Sequence, residues 1–355
     1  MSRFHSLEIV DRRQETADSV SLAFAVPETL REEFAYRPGQ HLTVRAVIEG
    51  EECRRSYSIC SGADEGELRI AVKKVETGRF SRFANEALAP GARLDVAAPE
   101  GRFTAEIGAD RRYAFFAAGS GITPVISIIR STLAANEAAS ATLVYGNRTT
   151  QSIMFRDALD DLKDRYLGRL SVFHVLSRES QEIDLLNGRI DGERIARFAR
   201  TVVPPKDVDA YFLCGPFGMI EDGRKALIAA GVEPPRVKAE LFSTDGAPRP
   251  ARRPAPAQMV HEGETDVACV LDGRTHRIRV PRGALIIEAA HDQNFEIPHS
   301  CKGGMCCTCR CKLLEGEVTM DVNYSLEPWE LDAGYVLACQ SRPLTPKVRL
   351  DFDAA

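Results

Sequence analysis

Four cysteines towards the end of this 355-residue chain have a spacing that suits metal chemistry. Three belong to a C-x4-C-x2-C run and one lies further along the chain: Cys301, Cys306, Cys309 and Cys339. A short loop with three thiolates and a distant fourth thiolate is the ligand arrangement of a 2Fe-2S cluster. Gly303 and Gly304 allow the loop to turn tightly and to approach inorganic sulfide. The spacing therefore predicts that these four cysteines hold a 2Fe-2S cluster.

Two other kinds of cysteine site remain as alternatives to the cluster. A zinc site usually pairs two C-x2-C steps, and this segment has only one, preceded by a four-residue gap. A disulfide knot requires an oxidising compartment, whereas the first residues lack the apolar core of a signal peptide, which predicts a cytoplasmic protein. Cys307 and Cys311 are off the ligand spacing, and we expect them not to bind iron.

The composition argues against two broad classes of function. The net charge is -5 and the sequence pI is about 5.9, so the chain lacks the basic character of a nucleic-acid-binding protein. No run of apolar residues is long enough to cross a bilayer, and we expect no membrane partner. The length of 355 residues predicts two or three domains, each with its own core.

Residues 1–108 contain short runs of alternating apolar residues, which predict a closed antiparallel β-barrel. Within them stands Arg55-Ser56-Tyr57-Ser58, a combination that suits a flavin. An arginine fork binds phosphate, a tyrosine face packs on the isoalloxazine ring, and a hydroxyl near N5 tunes its electronics. The four residues resemble the R-x-Y-S/T flavin motif of ferredoxin-NADP reductases. The alternative is an ordinary strand with a solvated arginine and a half-buried tyrosine.

A second segment of the same region fits a pyrophosphate. A glycine turn leads into a short helix predicted from Phe80 to Ala87, and the first amides of a helix suit an anion. The segment Gly78-Arg79-Phe80-Ser81 resembles the second flavin segment of the same reductases. Its fit to a pyrophosphate favours FAD over FMN.

Residues 109–245 alternate strands with helices, which predicts an α/β domain with a parallel sheet covered on both faces. The first strand is followed by Gly119-Ser120-Gly121-Ile122-Thr123-Pro124, in which Thr123 is expected to cap a helix that begins at Pro124. Such a helix N-terminus suits a dinucleotide phosphate. The run resembles the G-x-G-I/V-T-P loop of the reductase family. Cys214-Gly215-Pro216 resembles the family's C-G-P turn, which lies beside the nicotinamide.

The choice between NADP and NAD depends on the ends of the second and third strands. No acidic residue closes the second strand to bind a ribose 2′-hydroxyl, and Arg148 stands there instead. The third strand ends in Ser177-Arg178, which resembles the reductases' serine and arginine pair for the 2′-phosphate. Arginine forks suit phosphate, so we expect NADPH, although arginines are also common at solvated strand ends. Phe242 closes the last strand, where relatives place residues near the flavin.

The last third of the chain follows a proline-rich segment. Residues 246–261 are expected to form an extended linker. Residues 262–355 contain a predicted hairpin, a short helix, the cysteine loop and a final strand, which together resemble the β-grasp fold of plant-type ferredoxins. The predicted fold is therefore multidomain, with an antiparallel β-barrel flavin domain, an α/β nucleotide domain and a C-terminal β-grasp ferredoxin domain.

The resemblance to ferredoxin-NADP reductases covers nearly the whole chain and implies a function. It implies an NADPH-dependent oxidoreductase that passes electrons through FAD and a 2Fe-2S cluster to the di-iron oxygenase subunits of a multicomponent complex. Tyr57, Ser58 and Cys214 are expected around the stacked flavin and nicotinamide rings. Two other functions stay open: the reductase of an aromatic-ring hydroxylating or demethylating oxygenase, and a redox sensor or binding module without turnover.

Overall fold

The computed structural model describes residues 4–108, 110–243 and 263–354. They fall into two compact units, one within residues 4–247 and the other within residues 248–355. The predicted linker, residues 246–261, lies outside the described residues. None of the helices in the described ranges is long and apolar enough to cross a bilayer.

Six antiparallel strands in the order β4-β3-β6-β1-β2-β5 form the first sheet. An antiparallel bridge between Ile59 and Ile70 joins the two outer strands, so the sheet closes into a barrel as predicted. The inward positions carry fully buried aliphatic side chains such as Leu22 and Val44. The elements of this region are β1 (Phe4–Thr16), β2 (Ser19–Ala25), β3 (His41–Ile48), β4 (Glu51–Ser58), β5 (Leu68–Lys73), α1 (Arg79–Glu86) and β6 (Arg93–Ala97).

The second sheet has five parallel strands in the order β11-β10-β7-β8-β9. The strand order reverses between β7 and β10, and ligands of such sheets bind outside the carboxyl ends of the strands at that point. The elements are β7 (Arg112–Ala118), α2 (Ile122–Ala135), β8 (Ser140–Asn147), α3 (Arg156–Arg165), β9 (Leu170–Leu176), α4 (Gly192–Thr201), β10 (Ala210–Pro216), α5 (Phe217–Ala229) and β11 (Val237–Ser243).

The second unit contains a five-stranded mixed sheet in the order β13-β12-β18-β14-β16 and a two-stranded sheet of β15 and β17. A single core lies between the larger sheet and α6, and it includes Ile286, Leu337 and Leu350. The elements are β12 (Thr265–Leu271), β13 (Arg274–Val280), α6 (Ile286–Asp292), β14 (Arg310–Glu315), β15 (Val318–Met320), α7 (Pro328–Asp332), β16 (Tyr335–Leu337), β17 (Ser341–Pro343) and β18 (Lys347–Asp351). The barrel, the parallel sheet and this ferredoxin-like unit confirm the predicted fold class.

One local prediction in the parallel-sheet region is wrong. Thr123 does not cap a helix that begins at Pro124, because α2 already begins at Ile122 with Gly121 at its N-cap. Residues 119–121 form a short 3-10 helix that leads directly into α2, so the turn starts earlier than the threonine suggests. The hydroxyl of Thr123 instead donates to the carbonyl oxygen of Ser120 at 3.0 Å.

The barrel and the parallel sheet are joined by polar contacts of α2. The hydroxyl of Ser127 donates to the carbonyl oxygen of Ser61 at 2.6 Å, and both residues are fully buried. The hydroxyl of Ser131 accepts the backbone N–H of Ala63 at 2.9 Å. Because buried polar groups must be paired, these contacts fix the barrel against the helix that follows the first parallel strand.

We predict that Ser127→Ala lowers the free energy of unfolding by about 1–2 kcal/mol, because the buried carbonyl of Ser61 loses its donor. Urea denaturation of the holoprotein measures the change. Ser171→Ala, at an exposed position of β9, is the matched control and is expected to leave the urea midpoint unchanged. Equal midpoints for all three proteins would contradict the assigned role of this hydrogen bond.

Candidate functional site

The four predicted cluster cysteines lie together as two neighbouring pairs. The thiol of Cys301 lies beside that of Cys306, and the thiol of Cys309 lies beside that of Cys339. Within each pair the neighbouring thiol lowers the pKa of one member, Cys301 or Cys339, and the pKa of the other member, Cys306 or Cys309, is raised.

The arrangement of the four cysteine sulfurs in two pairs bears on whether they bind zinc or a 2Fe-2S cluster. In the described ranges, no group of three or more cysteine, histidine or acidic side chains closes around a single metal position. Zinc needs four ligands on one ion, whereas a 2Fe-2S cluster needs two cysteine sulfurs on each of two irons. All ten cysteines lie in the described ranges and are free thiols. The two sulfur pairs suit the two irons of a 2Fe-2S cluster.

The backbone of the cysteine loop is held in unusual conformations. Lys302 and Cys307 have φ angles of 49° and 57°, in a left-handed region that costs a non-glycine residue about 1 kcal/mol. Gly304 is also left-handed, and a Cβ there would lie only 2.8 Å from Cγ2 of Val322. The side-chain amide of Gln340, next to Cys339, donates to the carbonyl oxygen of Lys302 at 2.9 Å. Contacts from outside the loop therefore hold it in shape.

The two additional cysteines of this segment have partners of their own. The thiol of Cys307 donates to the hydroxyl of Ser325 at 3.0 Å. Cys311 is fully buried in the core, and burial raises the pKa of its thiol. The hydrogen bond of Cys307 and the burial of Cys311 are compatible with the prediction that neither residue binds iron.

The two predicted flavin segments lie side by side. Tyr57 on β4 and Phe80 at the start of α1 have ring centroids 5.5 Å apart with an angle of 38° between the rings. The guanidinium of Arg55 is exposed and donates to the carbonyl oxygen of Arg54, while Ser56 is half-buried. An aromatic face beside an exposed arginine fits an isoalloxazine ring with a nearby phosphate.

The side chains of Ser81 and Arg79, in the second flavin segment, form hydrogen bonds and an ion pair with other residues of the protein. A Cβ on Gly78 would lie 2.4 Å from the hydroxyl oxygen of Ser81, so this turn requires glycine. The Ser81 hydroxyl accepts the backbone N–H of Val75 at 3.1 Å and donates to the carbonyl oxygen of Gly78 at 3.1 Å. Arg79 is paired with Glu51. Backbone amides at the start of α1, rather than these two side chains, are therefore the groups that fit a pyrophosphate.

A close backbone approach defines the crevice at the strand-order reversal. Gly119, Ser120 and Gly121 lie between β7 and α2, opposite the end of β10. A Cβ on Gly121 would lie 2.2 Å from the carbonyl oxygen of Cys214, so only glycine permits the contact. Gly215 is less restricted, since its Cβ would lie 2.7 Å from Cε of Met219, the end of a flexible side chain.

The ends of β4, β10 and β11 meet beside this crevice. The hydroxyl of Ser58 donates to Oε2 of Glu240 at 3.3 Å, and Glu240 is in register with Cys214 on the neighbouring strand. Phe242 packs against the core of the parallel-sheet region, and Pro216 caps α5. Burial raises the pKa of Glu240 to about 7, an effect partly opposed by nearby His41 and by the Ser58 hydrogen bond.

The predicted 2′-phosphate residues come together at the ends of β8 and β9. The backbone N–H of Arg178 donates to the carbonyl oxygen of Arg148 at 2.8 Å, and both side chains are exposed, as is that of Ser177. Glu179 is the nearest acidic residue in sequence, but its carboxylate accepts the hydroxyl and the backbone N–H of Thr150 at 2.6 and 3.0 Å. Two exposed arginines thus stand on adjacent strand ends, an arrangement that suits a phosphate.

Glu240 and Glu179 are functional candidates that the motifs did not assign. Their partners, Ser58 and Thr150, lie 182 and 29 positions away in the sequence. Local patterns cannot reveal such contacts. Position was a signal only for Glu179, which lies just beyond the carboxyl end of β9, whereas Glu240 lies within β11 opposite Cys214.

Three family models match successive parts of the chain. Residues 6–105 match an oxidoreductase FAD-binding domain, residues 115–225 an oxidoreductase NAD-binding domain, and residues 269–344 a 2Fe-2S iron-sulfur cluster binding domain. The matches coincide with the barrel, the parallel sheet and the cysteine-containing unit. FAD, a nicotinamide dinucleotide and a 2Fe-2S cluster are therefore the cofactors of this chain.

Full-length relatives share this arrangement. The chain is 45% identical to a component of the 1,2-phenylacetyl-CoA epoxidase of Escherichia coli K12, over 100% of this chain and 99% of that protein. It is 35% identical to the ferredoxin reductase component of 3-ketosteroid-9-alpha-monooxygenase of Rhodococcus rhodochrous, over 96% and 94% of the two chains. The solved structure of phthalate dioxygenase reductase matches 98% of each chain with a TM-score of 0.58 at 22% identity, which supports the fold.

The raised pKa of Glu240 predicts a pH-dependent stability. A carboxyl group with a pKa near 4.5 when unfolded and about 7 when folded stabilises the fold fully only below its unfolded pKa, and this contribution is lost as the pH rises through 7. Glu240→Gln removes this ionisation. The unfolding temperature of the variant minus that of the wild type is therefore expected to increase between about pH 5.5 and about pH 8.5. Glu233→Gln, at an exposed position, is the control. A difference that stays constant with pH would contradict the assignment.

Proposed function

The chain belongs to the ferredoxin-NADP reductase family, in the group with a C-terminal 2Fe-2S domain, and we propose that it carries electrons from NADPH to a di-iron oxygenase. The observation that supports the proposal most strongly is that the flavin segments, the crevice at Gly121 and Cys214, and the paired cluster cysteines occur in one chain. A two-electron donor and a one-electron carrier require a flavin between them.

Residues of the barrel and of the parallel sheet would position the reacting rings. When bound, FAD takes a hydride from a reduced nicotinamide and releases electrons singly to a carrier such as a 2Fe-2S cluster. Tyr57 would pack on the flavin, and the hydroxyl of Ser58 would lie near its reactive edge. The close approach of Gly121 to Cys214 would bring the β7–α2 loop and the end of β10 together beside the nicotinamide. Glu240 would hold the Ser58 hydroxyl in place.

The charges at the ends of β8 and β9 support NADPH over NADH. Arg148 and Arg178 present two exposed guanidinium groups on adjacent backbone segments. The carboxylate of Glu179, which would repel a phosphate, already accepts two hydrogen bonds from Thr150. A 2′-phosphate would meet two arginines and a single carboxylate that is directed towards Thr150, whereas a 2′-hydroxyl gains little from either arginine.

Arg178→Ala is predicted to raise the KM for NADPH about tenfold or more while changing the KM for NADH little, because a charge-assisted phosphate contact is lost. Ferricyanide reduction measures both constants, since this acceptor takes electrons without the oxygenase. Arg200→Ala replaces an exposed arginine in the last turn of α4 and serves as the control. A wild type that prefers NADH, or an equal effect on the two nucleotides, would refute the NADPH proposal.

The identity of the oxygenase rests on the relatives. We propose the phenylacetyl-CoA epoxidase as the partner because the epoxidase component of Escherichia coli is 45% identical over the whole chain. This would place the chain in phenylacetate catabolism. A second candidate is the oxygenase of another substrate, such as a ketosteroid, because ferredoxin reductase components at 35% identity have the same arrangement.

Reconstitution tests both the partner and the modular electron path. The wild type with the oxygenase subunits of phenylacetyl-CoA epoxidase is expected to support substrate-dependent NADPH oxidation. Cys306→Ser is expected to abolish this turnover, because one iron loses a ligand, while NADPH still bleaches the flavin at the wild-type rate. Loss of flavin bleaching in the variant would contradict the modular path. A wild type that serves only a ketosteroid oxygenase would favour the second candidate, and one without turnover with any acceptor would favour a redox sensor.

A further inference from the structure

We propose that the exposed face of α7, centred on Trp329, is the surface on which the electron-accepting oxygenase docks. We call this face, formed by Pro328, Trp329, Leu331 and Ala333, the α7 patch. The proposal rests on the proposed function, since it assigns where that electron acceptor binds. Its occupant is a partner protein with an apolar pocket bordered by basic side chains.

The α7 patch places large apolar side chains in solvent. Trp329 is the only tryptophan of the chain, and it is 61% exposed. Leu331 is 42% exposed, and Pro328 and Ala333 are exposed beside them. A solvent-exposed tryptophan with apolar neighbours is unusual on a monomer surface and is typical of the centre of a protein interface.

Buried polar contacts hold the α7 patch rigidly. Glu330 points inwards and is fully buried, where it is paired with Arg310 of β14. Its other carboxylate oxygen accepts the backbone N–H of Glu327 at 3.0 Å, which completes a capping box at the start of α7. The guanidinium of Arg310 also lies 4.1 Å from the centre of the Tyr335 ring. A rigid surface loses little conformational entropy when a partner binds.

The segment that leads into α7 contacts the cysteine loop. The backbone N–H of Tyr324 and the hydroxyl of Ser325 both donate to the carbonyl oxygen of Gly304 at 3.1 Å. Ser325 also contacts the thiol of Cys307. Trp329 follows Ser325 by four residues, so it lies within about 14 Å of this contact even for an extended chain. A partner seated on the α7 patch would therefore lie close to the cluster that donates the electron.

The segment that carries the α7 patch is acidic. Residues 313–341 contain six acidic residues and no lysine or arginine: Glu315, Glu317, Asp321, Glu327, Glu330 and Asp332. Asp321 and Glu330 are paired with arginines outside this range, Arg342 and Arg310. Exposed Asp332, within α7, and half-buried Glu327, at its N-cap, place negative charge beside the apolar centre. Such a surface complements an apolar pocket with a basic rim.

A binding measurement can use the single tryptophan. Holoprotein labelled with 5-fluorotryptophan has one fluorine resonance, which reports on Trp329 alone. The purified oxygenase of the reconstitution experiment is expected to shift or broaden this resonance as it is added, and added salt is expected to weaken the effect. The labelled chain alone is expected to show no change on dilution. A resonance that changes with the chain's own concentration would assign the α7 patch to a second copy and overturn the proposal.

Kinetics separates docking from internal electron transfer. Trp329→Ala is expected to raise the KM for the oxygenase about tenfold or more, as for other interface tryptophans. NADPH oxidation with ferricyanide and cluster reduction by the flavin, followed by stopped flow, are expected to keep their wild-type rates. Trp329→Phe is expected to recover part of the loss. Leu167→Ala removes an 81% exposed side chain of the other unit and is the matched control.

Two kinetic results would overturn the proposal. Slower cluster reduction in Trp329→Ala would mean that the α7 patch receives the chain's own flavin-bearing unit. An unchanged KM for the oxygenase would mean that docking takes place elsewhere. If the wild type supports no oxygenase at all, the proposed function fails, whereas a competent wild type with an equally competent Trp329→Ala variant refutes only the docking surface.

Discussion

The approach of Gly121 to the carbonyl oxygen of Cys214 is the steric constraint on which the nucleotide site depends. A single methyl group at position 121 would lie 2.2 Å from that oxygen, so any other residue would push the β7–α2 loop away from β10. The contact lies where the strand order reverses, and such a point opens a crevice at the carboxyl ends of the strands. Ser58 of the barrel reaches the same place through its hydrogen bond to Glu240.

The backbone of the cysteine loop is also held in place by contacts with other segments. Left-handed Lys302 and Cys307, and a left-handed glycine at 304, bend the backbone so that the sulfurs form two pairs. The contact between Gln340 and Lys302 connects the distant ligand segment to the loop. In both sites, packing from other segments holds a backbone conformation that the local sequence would not maintain by itself.

The sequence predicted the barrel strands and the cluster correctly because each produces a regular pattern of residues. Alternating apolar residues indicated the barrel strands because a strand exposes alternate faces, and the cysteine spacing indicated the cluster because iron geometry limits the loop length. The N-cap assigned to Thr123 was wrong because the preceding glycines already turn as a 3-10 helix. The contact between Glu240 and Ser58 was not predictable, since it joins residues far apart in the sequence.

The central claim is that electrons enter at the flavin and leave through the cluster of the same chain. Anaerobic stopped-flow mixing of the holoprotein with NADPH tests it most directly, with flavin bleaching followed by absorbance and the reduced cluster counted by electron paramagnetic resonance after freezing. We expect the absorbance of the oxidised flavin to fall first and the reduced cluster to appear afterwards, at a rate independent of protein concentration. A cluster that stays oxidised after the flavin is reduced, or that is reduced only through collisions between molecules, would contradict it.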